Sequence, residues 1–223
     1  MYYITDEINK VVFGWSAKCG CSHIKNMFWF LKSGSMDNEL HIPAEYKTLP
    51  KDISNYTVIM FVRNPYNRVV SGFLHTGCWL WKWKTPNNIL FSHFVDELIT
   101  TKFDQIDQHH FEPQVSGYFH YKEIIKSKKK FIYDINNIDY KNIEKIYNKT
   151  IPESILNFKG THINKTTKNF ESDKKIYDLN LEEYSDYKVP IQSFFNDDIK
   201  NKIYNFYKGD FLFCKDHGID YVL

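Results

Sequence analysis

Two short stretches of this 223-residue chain combine cationic side chains with small neighbours, a composition suited to binding phosphate groups. Residues 16–23 (SAKCGCSH) place Lys18 among small residues, and residues 63–73 (RNPYNRVVSGF) begin with Arg63 and contain Ser71. Small side chains let backbone N–H groups approach an anion, and a guanidinium can bind a phosphate through two parallel hydrogen bonds. We therefore expect two anion sites, one around Lys18 and one formed by Arg63 with Ser71.

The elements around Lys18 read as a strand, a loop and a helix. Residues 11–15 (VVFGW) form an apolar run that predicts a strand, and residues 22–31 have apolar side chains at helical spacing before Gly34. The first turn of a helix presents unpaired N–H donors and the positive end of the helix dipole. The order strand, loop, helix therefore predicts a phosphate-binding loop.

The elements around Arg63 place it at the edge of the same sheet. Residues 56–62 (YTVIMFV) are too apolar for an exposed element, so they predict a buried strand that ends just before Arg63. Pro65 ends this strand, and a helix predicted from about Asn67 would carry Ser71 to the same edge. Ligands of open α/β sheets bind at the carboxyl ends of the strands.

The loop differs from that of nucleotide kinases, which remain an alternative. In G-x-x-x-x-G-K-[ST] the lysine directly follows the second glycine, but here Lys18 precedes Gly20 and Cys21 stands in the lysine position. A kinase also needs Mg²⁺ and an aspartate at a strand end, and the sequence indicates no apolar strand that ends in one. A donor attached through a single 5′-phosphate needs only one lysine and backbone N–H groups.

Together the stretches K-x-G-C-S and R-N-P-Y-x-R-V-V-S-x-F resemble the two PAPS-binding signatures of sulfotransferases, closest to the Golgi carbohydrate sulfotransferases of family 2 type. The resemblance implies a first loop that holds the 5′-phosphosulfate of 3′-phosphoadenosine 5′-phosphosulfate (PAPS), whose product is PAP. It implies that Arg63 and Ser71 hold the 3′-phosphate and that Arg68 ties the second loop together. The residues of the 5′ site would be Lys18, Cys19, Gly20, Cys21, Ser22 and His23.

Further stretches extend the resemblance from about Val11 to Phe213. Residues 108–114 (QHHFEPQ) are similar to the family's H-W-x-P-Q segment with Phe111 in place of tryptophan, and residues 204–213 resemble its Y-x-x-D-F-x-x-F ending. Sulfuryl transfer needs a base for the acceptor hydroxyl and a cation for the leaving group. Lys18 suits the second role, and His110 is the first candidate for the base. The other candidates are His109, Glu112, His75 and His23.

Length and composition agree with one catalytic domain over residues 1–223. The predicted elements and the resemblance imply an α/β fold with a P-loop-like three-layer α/β/α arrangement and a mainly parallel central sheet. The formal net charge of +2 gives no case for nucleic-acid binding. The four cysteines fit neither a disulfide framework nor the spacing of a zinc site, so we expect no metal. No stretch approaches the length of a transmembrane helix, which predicts a soluble, cytoplasmic protein; a Golgi lumenal location would require an anchor or signal missing from this chain.

The expected reaction is transfer of a sulfuryl group from PAPS to a hydroxyl, with a glycan as the preferred acceptor because the resemblance is to carbohydrate enzymes. A noncatalytic module that binds PAP or a glycan is the other alternative. The tryptophans at 79, 81 and 83 are either a lid over the cleft or ordinary packing, and residues 161–168 are either a closing loop or an exposed one. A last long helix is predicted from Pro190, with Gly209 just past its end.

Overall fold

The computed structural model describes residues 2–36, 49–76, 89–102, 107–115, 123–124, 126–158, 168–170, 175–184 and 187–222. The chain divides into two compact units. The first unit comprises Met1–Arg63 and Gln114–Ile163, and the second comprises Asn64–Pro113 and Asn164–Leu223. The prediction of one catalytic domain over the whole chain stays a prediction.

The described residues form four strands and eight α-helices. The strands are β1 (Tyr2–Asp6), β2 (Val11–Trp15), β3 (Thr57–Val62) and β4 (Lys129–Asp134). The helices are α1 (Cys21–Ser33), α2 (Pro65–Thr76), α3 (Phe91–Thr100), α4 (Gln108–Phe111), α5 (Tyr140–Tyr147), α6 (Glu153–Leu156), α7 (Asp197–Phe206) and α8 (Lys208–Asp216). Short 3₁₀ turns cover Ile53–Asn55, Ile176–Asp178, Leu181–Glu183 and Ile191–Phe194.

The sheet of the first unit has the order β1-β2-β3-β4. Strand β1 pairs with β2 antiparallel, whereas β2 with β3 and β3 with β4 are parallel. The carboxyl ends of β2, β3 and β4 therefore lie at one edge, where Ile135 N–H donates to the Val62 carbonyl at 2.9 Å. This arrangement confirms the predicted α/β class with a mainly parallel central sheet.

Both faces of the sheet carry buried side chains. One face contributes Phe13, which packs edge-to-face on Phe28 of α1 with 5.4 Å between ring centroids and also contacts Tyr147 of α5. The other face carries Val12, Val58 and Met60, each with no exposed surface. Strands buried on both faces read as continuous apolar runs, which is why residues 11–15 and 57–62 were recognisable from sequence.

The second unit is helical and has its own core. Aromatic side chains dominate it, for example Phe73 of α2, which packs against Phe91 and Phe94 of α3. Helix α2 begins at Pro65, two residues before the predicted start at Asn67, because proline suits the first position of a helix. No helix in the described part of the chain has the length and apolar character needed to cross a membrane.

The predicted last long helix was wrong in its bounds. Pro190 precedes only the 3₁₀ turn Ile191–Phe194, and α7 begins at Asp197 with Asn196 as its N-cap. The Asn196 side chain accepts a hydrogen bond from Ile199 N–H at 2.8 Å, which fixes the start there. Gly209 does not follow the helix end; it lies inside α8.

Candidate active site

The loop between β2 and α1 has the backbone of an anion-binding loop. Cys19 N–H donates to the Ser16 carbonyl at 3.2 Å, and Lys18 and Gly20 both have left-handed backbones, with φ of 66° and 75°. Glycine adopts this conformation without strain, so Gly20 is suited to end the loop. Helix α1 then begins at Cys21, with the first helical bond from Ile24 N–H to the Gly20 carbonyl at 3.0 Å.

The N-terminus of α1 is left open to an anion. No side chain in the described residues caps it, and its first turn contains no acidic residue. The helices α5 and α7 differ, since Asp139 caps the first and Asn196 caps the second. Helix N-termini favour nearby negative charge, and the first turn of α1 supplies no acidic side chain. The backbone donors at this end are therefore available to an anionic ligand.

Lys18 lies half-buried in this loop, and its surroundings disfavour the charged form of its ammonium group. Burial, together with the positive charge of Arg63, lowers the pKa of Lys18 to about 8. Removing a cation from water and placing it near another cation disfavours its charged form. A negatively charged ligand would relieve both effects, so the arrangement is that of an anion site.

Arg63 follows β3 directly and contacts the loop. Its Nη1 atom donates to the Lys18 carbonyl at 2.8 Å. The side chain is half-buried, and its charge acts on the Lys18 ammonium group. The two predicted cations of the first unit thus lie together at the carboxyl edge of its sheet.

Gln114 was not assigned a role from sequence, yet it connects these two elements. Its Nε2 donates to the Arg63 carbonyl at 2.8 Å, and its Oε1 accepts from Arg63 N–H at 2.9 Å and from Cys19 Sγ at 3.0 Å. Its own carbonyl accepts from Ser16 Oγ at 3.3 Å. Because only 2% of its surface is exposed, these bonds are shielded from water.

The other predicted residues of the 5′ site lie on the loop and the first turn of α1. The Cys21 thiol donates to the Ser16 carbonyl at 3.6 Å, and the Ser22 carbonyl accepts from Asn26 Nδ2 at 2.9 Å. His23 Nε2 lies 2.9 Å from the Tyr140 hydroxyl. Burial lowers the pKa of His23, an effect that a hydrogen bond with the Phe158 backbone partly opposes. These contacts fix the position of the His23 ring within the first unit.

One expectation about the strand ends needs correction. The sequence indicated no strand ending in an aspartate, but β4 ends at Asp134. The sequence does predict a strand from Phe131 to Ile135, and β4 begins two residues before it, with the exposed lysines 129 and 130. The Asp134 carboxylate accepts a hydrogen bond from Asn136 N–H at 2.7 Å, and β3 lies between β4 and β2. Asp134 therefore serves the turn after its own strand.

In the second unit, His110 forms a short-range pair with Asp107. His110 Nδ1 lies 2.6 Å from Asp107 Oδ2, and both side chains are mostly buried, with 16% and 15% of their surfaces exposed. Burial raises the pKa of Asp107, but the hydrogen bond and charge of His110 outweigh burial, so the net pKa is lowered. An ionised carboxylate fixes the ring orientation and tautomer of a neighbouring imidazole. Asp107 is a second residue that the sequence analysis missed.

Two buried side chains fix the helical turn that carries His110. Arg68 Nη1 donates to the Glu112 carbonyl at 2.7 Å, and the Tyr207 hydroxyl donates to the Phe111 carbonyl at 2.5 Å. Gly72 lets α2 approach this turn, since a Cβ at that position would lie 2.6 Å from Phe111 Cε1. Arg68 is 1% exposed and thus holds the turn that carries His110. Its expected role in tying the second loop together stays a prediction.

The remaining candidates lie in different surroundings. His109 is exposed and packs edge-to-face on the His110 ring at 4.5 Å between centroids. Glu112 is half-buried, and burial raises its pKa. Ser71 lies on α2 with a half-buried side chain, and its pairing with Arg63 stays a prediction. The side chain of His75, the tryptophans at 79, 81 and 83, and residues 161–167 lie outside the described residues.

Among the residues that the structure describes, no group of three or more His, Cys, Asp or Glu side chains could hold a metal ion. A family model, described as the sulfotransferase family, matches residues 1–214. This chain belongs to the sulfotransferase family. The resemblance inferred from the two signatures, of family 2 type, is thereby confirmed. No curated protein and no solved structure matched the chain.

Membership in the sulfotransferase family assigns a general chemistry to the residues described above. A sulfotransferase transfers a sulfuryl group to an acceptor that bears a hydroxyl. The match begins before the Lys18 loop and ends after α7, so it includes both signatures and the segment with His110 and Gln114. Gln114 lay within a recognisable signature, and a D-x-x-H spacing of one helical turn was the available signal for Asp107.

Proposed function

We propose that this chain transfers the sulfuryl group of PAPS to a hydroxyl of a glycan. The observation that carries the proposal is the pair of cations Lys18 and Arg63 beside the open N-terminus of α1. Two positive side chains that meet at one loop, beside the positive end of a helix, call for a ligand with several negative charges. PAPS meets that requirement through its phosphosulfate and its 3′-phosphate.

The residues of the first unit suit the charged ends of such a donor. Lys18 and the backbone N–H groups at the start of α1 would hold the 5′-phosphosulfate. Arg63 would hold the 3′-phosphate, which its guanidinium can bind through two hydrogen bonds. Ser71 is proposed as the second group at that phosphate, following the signature. PAPS supplies an activated sulfuryl group, and no metal is required to neutralise a triphosphate.

Lys18 is proposed to stabilise the leaving group. Transfer forms a bond between the acceptor oxygen and sulfur and breaks the bond from sulfur to the bridging oxygen of the 5′-phosphate. Negative charge then develops on that oxygen and stays on PAP. A protonated lysine placed there is worth more in the transition state than in the ground state. With its pKa at about 8, Lys18 is mostly protonated at neutral pH even before the donor binds.

His110 is proposed to accept the proton of the acceptor hydroxyl. The Asp107 carboxylate at its Nδ1 keeps the ring in the tautomer whose Nε2 can take a proton, and stabilises the imidazolium that results. The bonds of Arg68 and Tyr207 to the carbonyls of Glu112 and Phe111 hold the same turn in place. His110 is preferred as the base because it stands where the family's segment has its histidine and because the Asp107 carboxylate lies 2.6 Å from its Nδ1.

A glycan is proposed as the acceptor on the basis of the likeness to carbohydrate sulfotransferases. The direct test is a screen with radiolabelled PAPS in excess EDTA, across glycans, tyrosyl peptides, lipids and phenols. We expect label in one or more glycans and loss of that label in Lys18→Ala. Transfer to peptides or phenols alone would contradict the glycan acceptor.

A calorimetric titration with PAP and a repeat of the screen with radiolabelled ATP, with and without EDTA, separate the two other functions considered from sequence. Binding of PAP without turnover on any acceptor would indicate a noncatalytic module. Activity that requires ATP and is abolished by EDTA would indicate a kinase, because phosphoryl transfer from ATP depends on Mg²⁺. Label transfer that survives EDTA supports the sulfotransferase.

A further inference from the structure

The side chain of Gln114 uses both ends of its amide on a single neighbouring residue. Its Nε2 donates to the Arg63 carbonyl at 2.8 Å while its Oε1 accepts from Arg63 N–H at 2.9 Å. The side-chain amide carries a donor and an acceptor side by side, so it can pair with the C=O and the N–H of one residue. A residue of an adjacent β-strand pairs with the backbone in the same way. The amide thereby fixes the backbone of Arg63 just beyond the end of β3.

Gln114 also reaches the Lys18 loop at two points. Its Oε1 accepts from Cys19 Sγ at 3.0 Å, and its carbonyl accepts from Ser16 Oγ at 3.3 Å. Arg63 completes the connection, since its Nη1 donates to the Lys18 carbonyl at 2.8 Å. A closed set of bonds therefore runs from Gln114 to Arg63, from Arg63 to Lys18, and from the loop back to Gln114.

Glutamine is the residue type that fits this position. Asparagine is one methylene shorter, leucine has neither a donor nor an acceptor, and an ionised glutamate has no donor for the Arg63 carbonyl. With 2% of Gln114 exposed, water cannot replace a lost partner without moving the surrounding residues. An ordinary packing residue would not need this combination of length and hydrogen-bonding groups.

We propose that Gln114 is a positioning residue that sets Arg63 and the Lys18 loop in the geometry that binds the donor nucleotide, an inference that rests on the proposed function. It acts through the backbone of Arg63 and through Cys19. Its loss should weaken PAP binding by the folded protein, in addition to any effect on stability.

The test compares Gln114→Glu with the matched control Gln192→Glu, which makes the same change at an exposed glutamine of the second unit. PAP affinity is measured by calorimetry from pH 5.5 to 7.5, with circular dichroism to confirm folding, and each value is divided by the wild-type value at the same pH. We expect Gln114→Glu to bind PAP at least about fivefold more weakly at pH 7.5, the scale of a buried group left without its partner. Gln192→Glu should match the wild type.

The pH dependence distinguishes positioning from a general loss of packing. A protonated glutamate regains an O–H donor in the place of Nε2, so the relative affinity of Gln114→Glu should rise toward that of the wild type as the pH falls. Gln114→Leu has no side-chain group to protonate, so its loss of PAP affinity relative to the wild type should not change with pH. Lys18, with a pKa of about 8, is mostly protonated across this range, and its own pH dependence cancels because each value is divided by the wild-type value.

A second comparison tests whether Gln114 acts through Arg63. Gln114→Leu should cost less PAP affinity in an Arg63→Ala background than in the wild type, because residues that act through one another are not additive. An equal loss of PAP affinity in the two backgrounds would contradict the inference that Gln114 acts through Arg63.

The results for the wild type test the proposed function, and the results for the variants test the role of Gln114. Failure of the wild type to bind PAP overturns both. Wild-type binding with unchanged affinity in folded Gln114→Glu and Gln114→Leu overturns only the role of Gln114. A deficit that does not recover at low pH also contradicts positioning by the amide.

Discussion

The two ends of helix α1 are built in opposite ways. At the C-terminal end, Gly34 N–H donates to the Phe30 carbonyl at 2.8 Å, and Lys149 Nζ donates to the carbonyls of Phe30 and Leu31 at 2.6 Å and 3.1 Å. Cations are favourable at this negative end of the dipole. At the N-terminal end, no described side chain caps the donors, and the nearby charge is the cation of Lys18.

This difference separates a lysine that stabilises the fold from one that serves a ligand. Lys149 satisfies carbonyls that the helix leaves without partners, whereas Lys18 lies near the positive end of the same helix and close to Arg63. Placing cations there costs stability in the absence of an anion. The N-terminal end of α1 is therefore the end suited to binding an anionic ligand.

The largest expected effect comes from Lys18→Ala. We expect turnover to fall by roughly 10²–10³, the scale of losing one group that stabilises developing negative charge. PAP affinity should fall less than turnover, because the ground state needs this cation less. Initial rates and calorimetry measure the two quantities, and Lys51→Ala, an exposed lysine of the same unit, is the control. Equal losses of turnover and affinity would contradict the role in the transition state.

The next effect is on binding. Arg63→Ala should weaken PAP affinity by about 1.5–3 kcal/mol, the cost of losing a charged hydrogen bond. Arg63→Lys should recover only part of it, since an ammonium group cannot form the paired bonds of a guanidinium. Calorimetric titration with PAP measures both variants. Full recovery by lysine would show that charge alone is required.

A third effect concerns stability. Lys149→Ala should lower the free energy of unfolding by about 1–2 kcal/mol, because its hydrogen bonds to the Phe30 and Leu31 carbonyls are charged but half-exposed. Lys18→Ala should not lower it. Urea denaturation measures both, and Lys145→Ala, an exposed lysine on α5, is the control. The contrast between the two helix ends fails if Lys18→Ala destabilises the free protein as much as Lys149→Ala.

The smallest effect is a pH dependence of binding. The pKa of Lys18 is about 8 in the free protein, and a bound anion raises it. Between pH 8 and the ordinary lysine pKa, binding must therefore take up a proton, and PAP affinity should fall as the pH rises above 8. Calorimetry at pH 9 in buffers of different ionisation enthalpy should show uptake of about one proton. Lys18→Arg should remove this dependence, since arginine stays charged.

The elements of the phosphate loop could be predicted from sequence because their signals are local. Residues 11–15 are buried on both faces and read as an apolar run, and Gly34 marks the end of α1 with a left-handed backbone. The start of α7 was missed because helical periodicity does not define a first residue. The sequence Asn196-Asp197-Asp198, a cap followed by acidic residues in the first turn, was the better signal.

The role of Gln114 could not be predicted, since its partners are distant in sequence. Arg63 is 51 residues away and Cys19 is 95 residues away, and no periodicity connects them. The pair of Asp107 and His110 is different, because their spacing of one helical turn was visible in the sequence. What was missing there was the knowledge that residues 108–111 form a helical turn.

The central claim is that the open end of α1, with Lys18 and Arg63, binds a doubly phosphorylated adenosine. Calorimetric titration of the wild type with PAP in excess EDTA tests it most directly, with adenosine 5′-monophosphate as the comparison ligand. We predict one PAP bound per chain, weaker binding of the monophosphate, and loss of most of the heat in the double variant Lys18→Ala, Arg63→Ala. Absence of heat with PAP, or equal binding by the double variant, would contradict the account.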